Sequence, residues 1–498
     1  MKKILNKIFH LNEKNVSIKN EVLGGAITFV AMCYILPTNA SILSSMGMDS
    51  AGVFAVTAIV SFIVTMIMGV VANYPISLSA GMGLNAFIAY TLSSELGFNT
   101  WQQKMILLTI AGIIFFAFSL TPIRKIIIEA IPKNLRCIIS ACLGGFILFV
   151  GLKSSGIIVD NPSTLVTLGN FADPAMIVGF AAIVICFGLM FVKNKIVSAL
   201  AIPISILSAA IVGTLISTIM YYNNSIVYDN TVSTFVYNVS YLSDTQVNLP
   251  IAPWISNAKF GVSGIEKVFF FGLFDSSSSY SWSDFGSDLF GPTSIFLKPS
   301  TYIAIFSLMF VNLFDTTATL VAIGEKIGLI DSEGKITNYR KAVLADAAGA
   351  LICAPFGTST VTSFAESNVG VSIGAKTGLA AVSSALLFLL SAFIYPIFSI
   401  FTAGCVTVAA LVAVGATIIV SSISQLDKND LASGFTAVIA IIFAILTYSI
   451  SNGIGIGLIV YVVIMLISKR GKEIKPAVYV IASLFIVSFV ATTVLSVI

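Results

Sequence analysis

Glu366 stands in Gly357-Thr-Ser-Thr-Val-Thr-Ser-Phe-Ala-Glu-Ser-Asn-Val-Gly370, a run of glycine and small hydroxyl residues deep in a hydrophobic chain. Such a run suits extended backbone followed by a helix that begins inside a membrane, its first N–H groups free to bind. Irregular backbone is tolerated at membrane depth only where protein or a water-filled cavity covers it. A carboxylate there costs about 2.5–3.5 kcal/mol on insertion scales, so its default reading is a functional site, here half of a transporter's substrate site. A second acid, Asp315, falls near the middle of Val311-Asn-Leu-Phe-Asp-Thr-Thr-Ala-Thr-Leu320, with no other acidic or basic residue between Lys298 and Glu325. It reads as a proton carrier or an anchor for substrate-binding half-helices, against a structural carboxylate satisfied locally by Thr316, Thr317 or Thr319. Asn85 closes Asn73-Tyr-Pro-Ile-Ser-Leu-Ser-Ala-Gly-Met-Gly-Leu-Asn85, a second run of Pro, Ser and Gly before a short helix. It is placed to orient a substrate or to bond Asp315 or Glu366. Asp346, near the cytoplasmic end of its span, reads as structural. Lys376 is expected to close the Glu366 helix and snorkel to the interface.

Two half-helix N-termini aim backbone N–H donors at one point, and a carboxylate beside them is an acceptor. The mixture suits a neutral, flat ligand with N–H and C=O groups along one edge, such as a nucleobase. A bare anion suits it less, because an ionised Glu366 repels it. A metal ion calls for more carboxylates together, and none is expected. A membrane-embedded enzyme needs a nucleophile–base pair or a metal cluster, and the apolar spans contain neither. Nothing in the charge balance of +4 points to nucleic acid.

The elements that must position these groups are membrane spans. The chain has 498 residues, 57% hydrophobic and 10% charged, with mean hydropathy +1.02; soluble domains carry about 25% charged residues. An all-α polytopic membrane protein follows. Candidate spans run over 24–45, 52–71, 79–95, 104–120, 137–155, 173–192 and 197–221, then 300–323, 342–356, 360–376, 378–399, 401–422, 431–449 and 451–468, each full span near the ~20 residues a bilayer requires. The apolar tail from Pro476 to Ile498 is long enough to cross or to lie against the bundle. Five lysines in the first twenty residues, Arg124/Lys125, Lys193/Lys195, Arg340/Lys341 and Lys469/Arg470 all fall on one side of this alternation, the cytoplasmic one by the positive-inside rule. The segment Tyr221 to Ala258 holds no Lys or Arg and is placed outside. The expected organisation is a cytoplasmic arm (1–20), a first seven-helix repeat (21–221), an extracellular segment (222–298) with short amphipathic helices, a second repeat (299–468) and a C-terminal segment (469–498). Seven spans per half would make the repeats inverted, and interrupted helices at the third span of each half point to a midplane site. The six cysteines read as small core residues, and His10 as a solvated residue of the arm.

The residues Gly24-Gly-Ala-Ile-Thr-Phe-Val-Ala-Met-Cys-Tyr-Ile-Leu36, Pro75 through Phe87, Gly151-Leu-Lys-Ser-Ser-Gly156, Asn161-Pro-Ser-Thr-Leu165, Phe314-Asp-Thr-Thr317 and Gly357 through Gly378 resemble the AzgA-like purine permeases, a branch of the nucleobase–ascorbate transporter superfamily. The resemblance covers nearly the whole chain. It implies fourteen transmembrane helices in two inverted repeats of seven, a core and a gate domain, and broken helices three and ten with short strands. It also implies proton-coupled uptake of hypoxanthine, guanine or adenine across the cell membrane without a cofactor. By motif, substrate contacts fall on Glu366, Ala365, Asn85, Ser79 and Ala80, proton coupling on Asp315 and Glu366, and structural support on Asp346 and Thr319. Relatives often pair, so a homodimer in the lipid bilayer is expected. Two departures stand near the site. Ser79-Ala80 replaces the usual Ala-Pro, and Ala318 a usual glycine. Both bear on substrate preference. The alternative reading is an anion transporter or exchanger on the same general fold.

Overall fold

The computed structural model describes the chain except residues 1, 13–15, 93–97, 99, 122–132, 195–196, 199, 224, 230–233, 238–245, 248, 251–260, 276–277, 279, 292–293, 329–337, 427–429, 448 and 498. The basic pair 124/125 and much of the external segment therefore lie outside the described residues. The first helices are α1 (Lys2–Phe9), α2 (Ile18–Met32), α3 (Ile35–Ser44) and α4 (Ser50–Ile67). Strand β1 (Leu78–Ala80), α5 (Met82–Ala86), α6 (Trp101–Leu120) and α7 (Lys133–Ser154) follow. An antiparallel hairpin, β2 (Ile158–Asn161) and β3 (Leu165–Leu168), leads to α8 (Pro174–Met190) and α9 (Ala201–Tyr222). Residues 222–298 begin as an antiparallel sheet, β4 (Ile226–Asp229), β5 (Thr234–Tyr237) and β6 (Gln246–Val247). It ends in two short helices, α10 (Ile265–Val268) and α11 (Trp282–Phe290). The second half holds α12 (Pro299–Lys326), α13 (Tyr339–Phe356), β7 (Val361–Ser363), α14 (Ser367–Ser372), α15 (Gly378–Ser391) and α16 (Tyr395–Phe398). The chain closes with α17 (Gly404–Ser424), α18 (Leu431–Leu446), α19 (Ile450–Ile467) and α20 (Pro476–Val497).

Six described helical segments are long and apolar enough to cross a membrane. Shorter apolar helices accompany them, and α15 continues past a 92° bend into Tyr395–Thr402. Their starts follow capping chemistry. Ser17 accepts from the Asn20 N–H before α2, Asp49 from Gly52 before α4, and Asp173 from Ala175 before α8. Pro174 takes the first position of α8, where no N–H is needed. The chain divides into two compact units: residues 1–79, 148–265 and 365–414, and residues 80–147, 266–364 and 415–498.

In the first unit, α2 and α4 pack on α15 through small residues. A Cβ on Gly25 would run into the Ala380 carbonyl, and one on Gly378 into Gly69, so side chains there would force the helices apart. Glu21, fully buried, ties α2 to the start of α15. Its carboxylate accepts from the Lys376 N–H at 2.8 Å and from the Thr377 N–H at 3.2 Å. Asn73, in the left-handed region, accepts from the Gly378 N–H at 2.7 Å and donates to the Phe9 carbonyl. Within the N-terminal arm, Phe9 and Leu11 are buried against Leu379, while His10 between them is exposed. One expectation changes here. Lys376 does not close the Glu366 helix; α14 ends at Ser372, and Lys376 lies in the link to α15.

In the second unit, α6 packs against α12 and α13. A Cβ on Gly112 would collide with the Ala350 carbonyl. The C-terminal apolar tail is one helix, α20, which lies along α19 and α12 with Phe485 edge-on to Phe306 at 6.0 Å. The later part of residues 222–298 docks here through Asp288, which accepts from Gln103 and from the Tyr280 hydroxyl, each at 2.8 Å. Elsewhere in the unit, Asp430 accepts from Arg470 at 2.9 Å, Asn134 at 2.9 Å and Ser433 at 2.6 Å. Burial pushes the Asp430 carboxyl up, but the bonds from Ser433, Arg470 and Asn134 outweigh it and hold it below the ordinary carboxylate range.

Glu21→Ala strips the acceptor from the Lys376 and Thr377 N–H groups, and a hydrogen bond to a charged group is worth about 1.5–3 kcal/mol. We expect a lower melting temperature in detergent, and an unchanged one would refute the clamp. Asp430 contributes stability that is full above its unfolded pKa, about 3.9, and fades as pH falls through its lower folded value. Thermal melts between about pH 5 and pH 3 should therefore show wild type losing stability on acidification. Asp430→Asn, less stable at the outset, should lose less.

Candidate functional site

Two stretches interrupt the helical pattern where the sequence is richest in Gly, Ser and Pro. After α4 the backbone widens into a π-helical turn, reaches Asn73 and then runs extended through Ser77 and β1. After α13, Gly357 at φ +94 turns the chain into the extended segment that ends in β7. A left-handed residue preceded by Pro355 is a helix stop that glycine supplies without strain.

In the first unit, Glu366 caps the short helix α14, half-buried, with Ala365 exposed beside it. The Tyr34 hydroxyl donates to Glu366 Oε1 at 2.8 Å. Tyr34 is at the break between α2 and α3, where the turn Cys33–Tyr34 brings the buried ring of the first span to the carboxylate. The adjacent Ser367 hydroxyl accepts from the Ser77 N–H at 3.0 Å, so the extended backbone before β1 is fastened next to Glu366. Thr65 closes the same segment from α4. Its hydroxyl accepts from the Leu78 N–H at 2.9 Å and donates to the Leu78 carbonyl at 3.1 Å. Ser79 is fully buried, 2.8 Å from the Ser61 hydroxyl. In this chain, then, the residue in place of the usual alanine adds a polar tether to α4.

In the second unit, Ala80 and Asn85 are fully buried, and the Gly81 N–H donates to the Thr360 carbonyl at 2.9 Å. Leu143 packs against Gly83, where a side chain would clash. Asp346, on α13 and fully buried, accepts from the Thr316 hydroxyl at 2.8 Å and from the Ser363 hydroxyl at 3.1 Å. The Thr316 hydroxyl serves Asp346, and the Thr317 hydroxyl bonds the Leu313 carbonyl at 2.6 Å. Thr319 is buried on the same helix. Asp315 lies mid-way along α12, but its side chain and that of Ala318 lie outside the described residues.

Sequence reasoning missed Tyr34 and Glu21. A tyrosine inside an apolar span carries a hydroxyl that must find a partner, and an acid three residues before the first candidate span needs one too once the helix starts ahead of it. Those were the available signals. Among the described residues no three His, Cys, Asp or Glu side chains group to hold a metal ion. Chemically, the first unit offers a carboxylate oriented by a phenol. Glu366 is half-buried rather than sealed, so it can meet a ligand's N–H.

Residues 19–456 match the Permease family, Xan_ur_permease. The guanine/hypoxanthine permease PbuO of Bacillus subtilis is 33% identical over 482 residues, 96% of this chain and 99% of that one. The adenine permease AdeP of Escherichia coli is 30% identical, covering 98% and 96%. Among solved structures, the transmembrane domain of the cyanobacterial bicarbonate transporter BicA aligns with TM-score 0.54 at 12% identity, over 90% of this chain and 98% of that domain. Murine Solute Carrier 26 family member A9 aligns with TM-score 0.55 at 11% identity, over 94% and 72%. At such identities these two speak for the fold alone: a helical transporter fold. With a match running through both broken segments and nearly every span, the chain belongs to the permease family.

Proposed function

We propose that this permease imports purine nucleobases, hypoxanthine, guanine or adenine, by proton symport with alternating access across the cell membrane, its N-terminus cytoplasmic. The observation that carries the reading is Glu366, held by Tyr34 at the head of a short intramembrane helix and left half-buried. A carboxylate in that setting accepts the ring N–H groups of a purine and discriminates against a bare anion. The names of the curated relatives, guanine/hypoxanthine and adenine permeases, support the substrate class. One proton entering with each neutral purine gains ~2.3 kcal/mol across 100 mV, enough for roughly fifty-fold accumulation. Asp315 takes part in protonation, and Asn85 orients the ligand. Ser79, with its tether to Ser61, and Ala80 shape the approach of the backbone to the purine.

The reading is tested by labelled hypoxanthine uptake in cells lacking purine transport, with and without a protonophore, against unlabelled guanine, adenine, uracil and sulfate. Concentrative, protonophore-sensitive uptake that purines alone compete away is expected; sulfate transport in place of purine would overturn it. Glu366→Gln should reduce uptake to background while the protein still inserts. Tyr34→Phe removes one hydrogen bond to a carboxylate, about 1.5–3 kcal/mol, and should raise the KM roughly 10- to 100-fold with expression unchanged.

A further inference from the structure

A small pocket lies in the second unit. Its wall is formed by Leu108, Gly112 and Phe115 of α6, Met309 and Asn312 of α12, and Thr360 before β7, among others. Asn312 and Thr360 are its polar residues. Asn312 is 2% exposed, and its side-chain oxygen has no hydrogen-bond partner among the described residues. A buried acceptor left so is costly, and a donor that reaches it recovers the loss. The cavity leaves about 10 Å³ for the centre of a guest, the smallest space that admits a water molecule. Walls otherwise made of Leu, Phe, Met, Ala and Gly exclude an ion, which would need several oxygens around it.

The cavity also has a fixed relation to the Asp346 cluster. Asn312 precedes Thr316 by four residues on α12, and Ala350 of the cavity wall follows Asp346 by four on α13. Along both helices the cavity therefore lies one turn, about 6 Å, from the buried carboxylate. On the orientation read from the basic clusters, that turn is toward the external side. We infer that the cavity binds one ordered water, donating to Asn312 Oδ1, and that this water is the outer waypoint for protons reaching Asp346. The Thr316 hydroxyl gives its proton to Asp346 Oδ2 and takes one from the water. The water takes one from a hydronium ion on the external side. Each oxygen loses and gains one proton, and Asp346 ends protonated. The role of the water rests on the proton symport proposed above; its presence does not.

The test uses the full chain in proteoliposomes. Hydroxyl-radical footprinting reads the water through oxidation of Met309, which lines the cavity. Labelled purine counterflow and proton-driven accumulation read its role. In wild type we expect Met309 to be oxidised. Asn312→Leu should cut that oxidation at least five-fold, keep counterflow within two-fold, and lower driven accumulation at least ten-fold. An unlabelled Met309 in wild type, or equal labelling in the variant, overturns the water site. Lost labelling with undiminished accumulation overturns the proton role, as does loss of counterflow together with accumulation. Wild-type accumulation insensitive to protonophore sinks the symport reading itself, and the footprint then still decides the water.

Discussion

An interrupted helix in a bilayer exposes backbone N–H and C=O groups that lipid cannot satisfy. The chain meets this requirement before β1 and before α15 with polar side chains. Thr65 serves both backbone groups of Leu78, and Ser367 takes the Ser77 N–H. Glu21 takes the Lys376 and Thr377 N–H groups, and Asn73 takes that of Gly378. The composition of the two runs, rich in Ser, Thr, Gly and Asn, is thus set as much by backbone accounting as by ligand chemistry. A hydroxyl there is first a structural part, and only a group left over after the accounting can serve a substrate.

That distinction sorts the buried acids. Glu21 is committed to two backbone N–H groups and sealed from solvent. Asp346 is committed to two hydroxyls on neighbouring elements and is equally sealed. Glu366 has a phenol on one oxygen and keeps part of its surface open. Three carboxylates of similar chemistry are therefore separated by how many fixed donors each has. Asp430, outside the spans, is a fourth case, in which three donors make the ionised form the stable one.

The sequence foretold the breaks but not what crosses them. Pro75, Gly81 and Gly83, and Gly357 with the hydroxyl residues after it, mark extended backbone and short helices by their own propensities, and β1, α5, β7 and α14 lie there. The break at Cys33–Tyr34 has one quieter mark, Pro37, which lacks the N–H that would bond the Cys33 carbonyl four residues before it. Tyr34 and Glu366 are 332 residues apart, and pairing at that distance is a property of packing. Phe9 and Leu11 were hidden for the same reason: flanked by lysines and asparagines, they look solvated until Leu379 is beside them. The sheet β4–β6 precedes the expected short helices of residues 222–298 and was not foreseen, though Val, Tyr, Thr and Ile favour strands once a turn pairs them.

The Glu21 clamp has a consequence for how the protein is made. The carboxylate emerges about 355 residues before the N–H groups it will accept from. At about 5–20 residues per second, that is a wait of roughly 20–70 s. Throughout that interval the first apolar run carries an acid with nothing to receive it. The carboxyl must stay at the membrane surface or travel inward with a proton, because an ionised acid in hydrocarbon is too costly to hold. Helix α2 in this way reaches its final setting only once the start of α15 has been made.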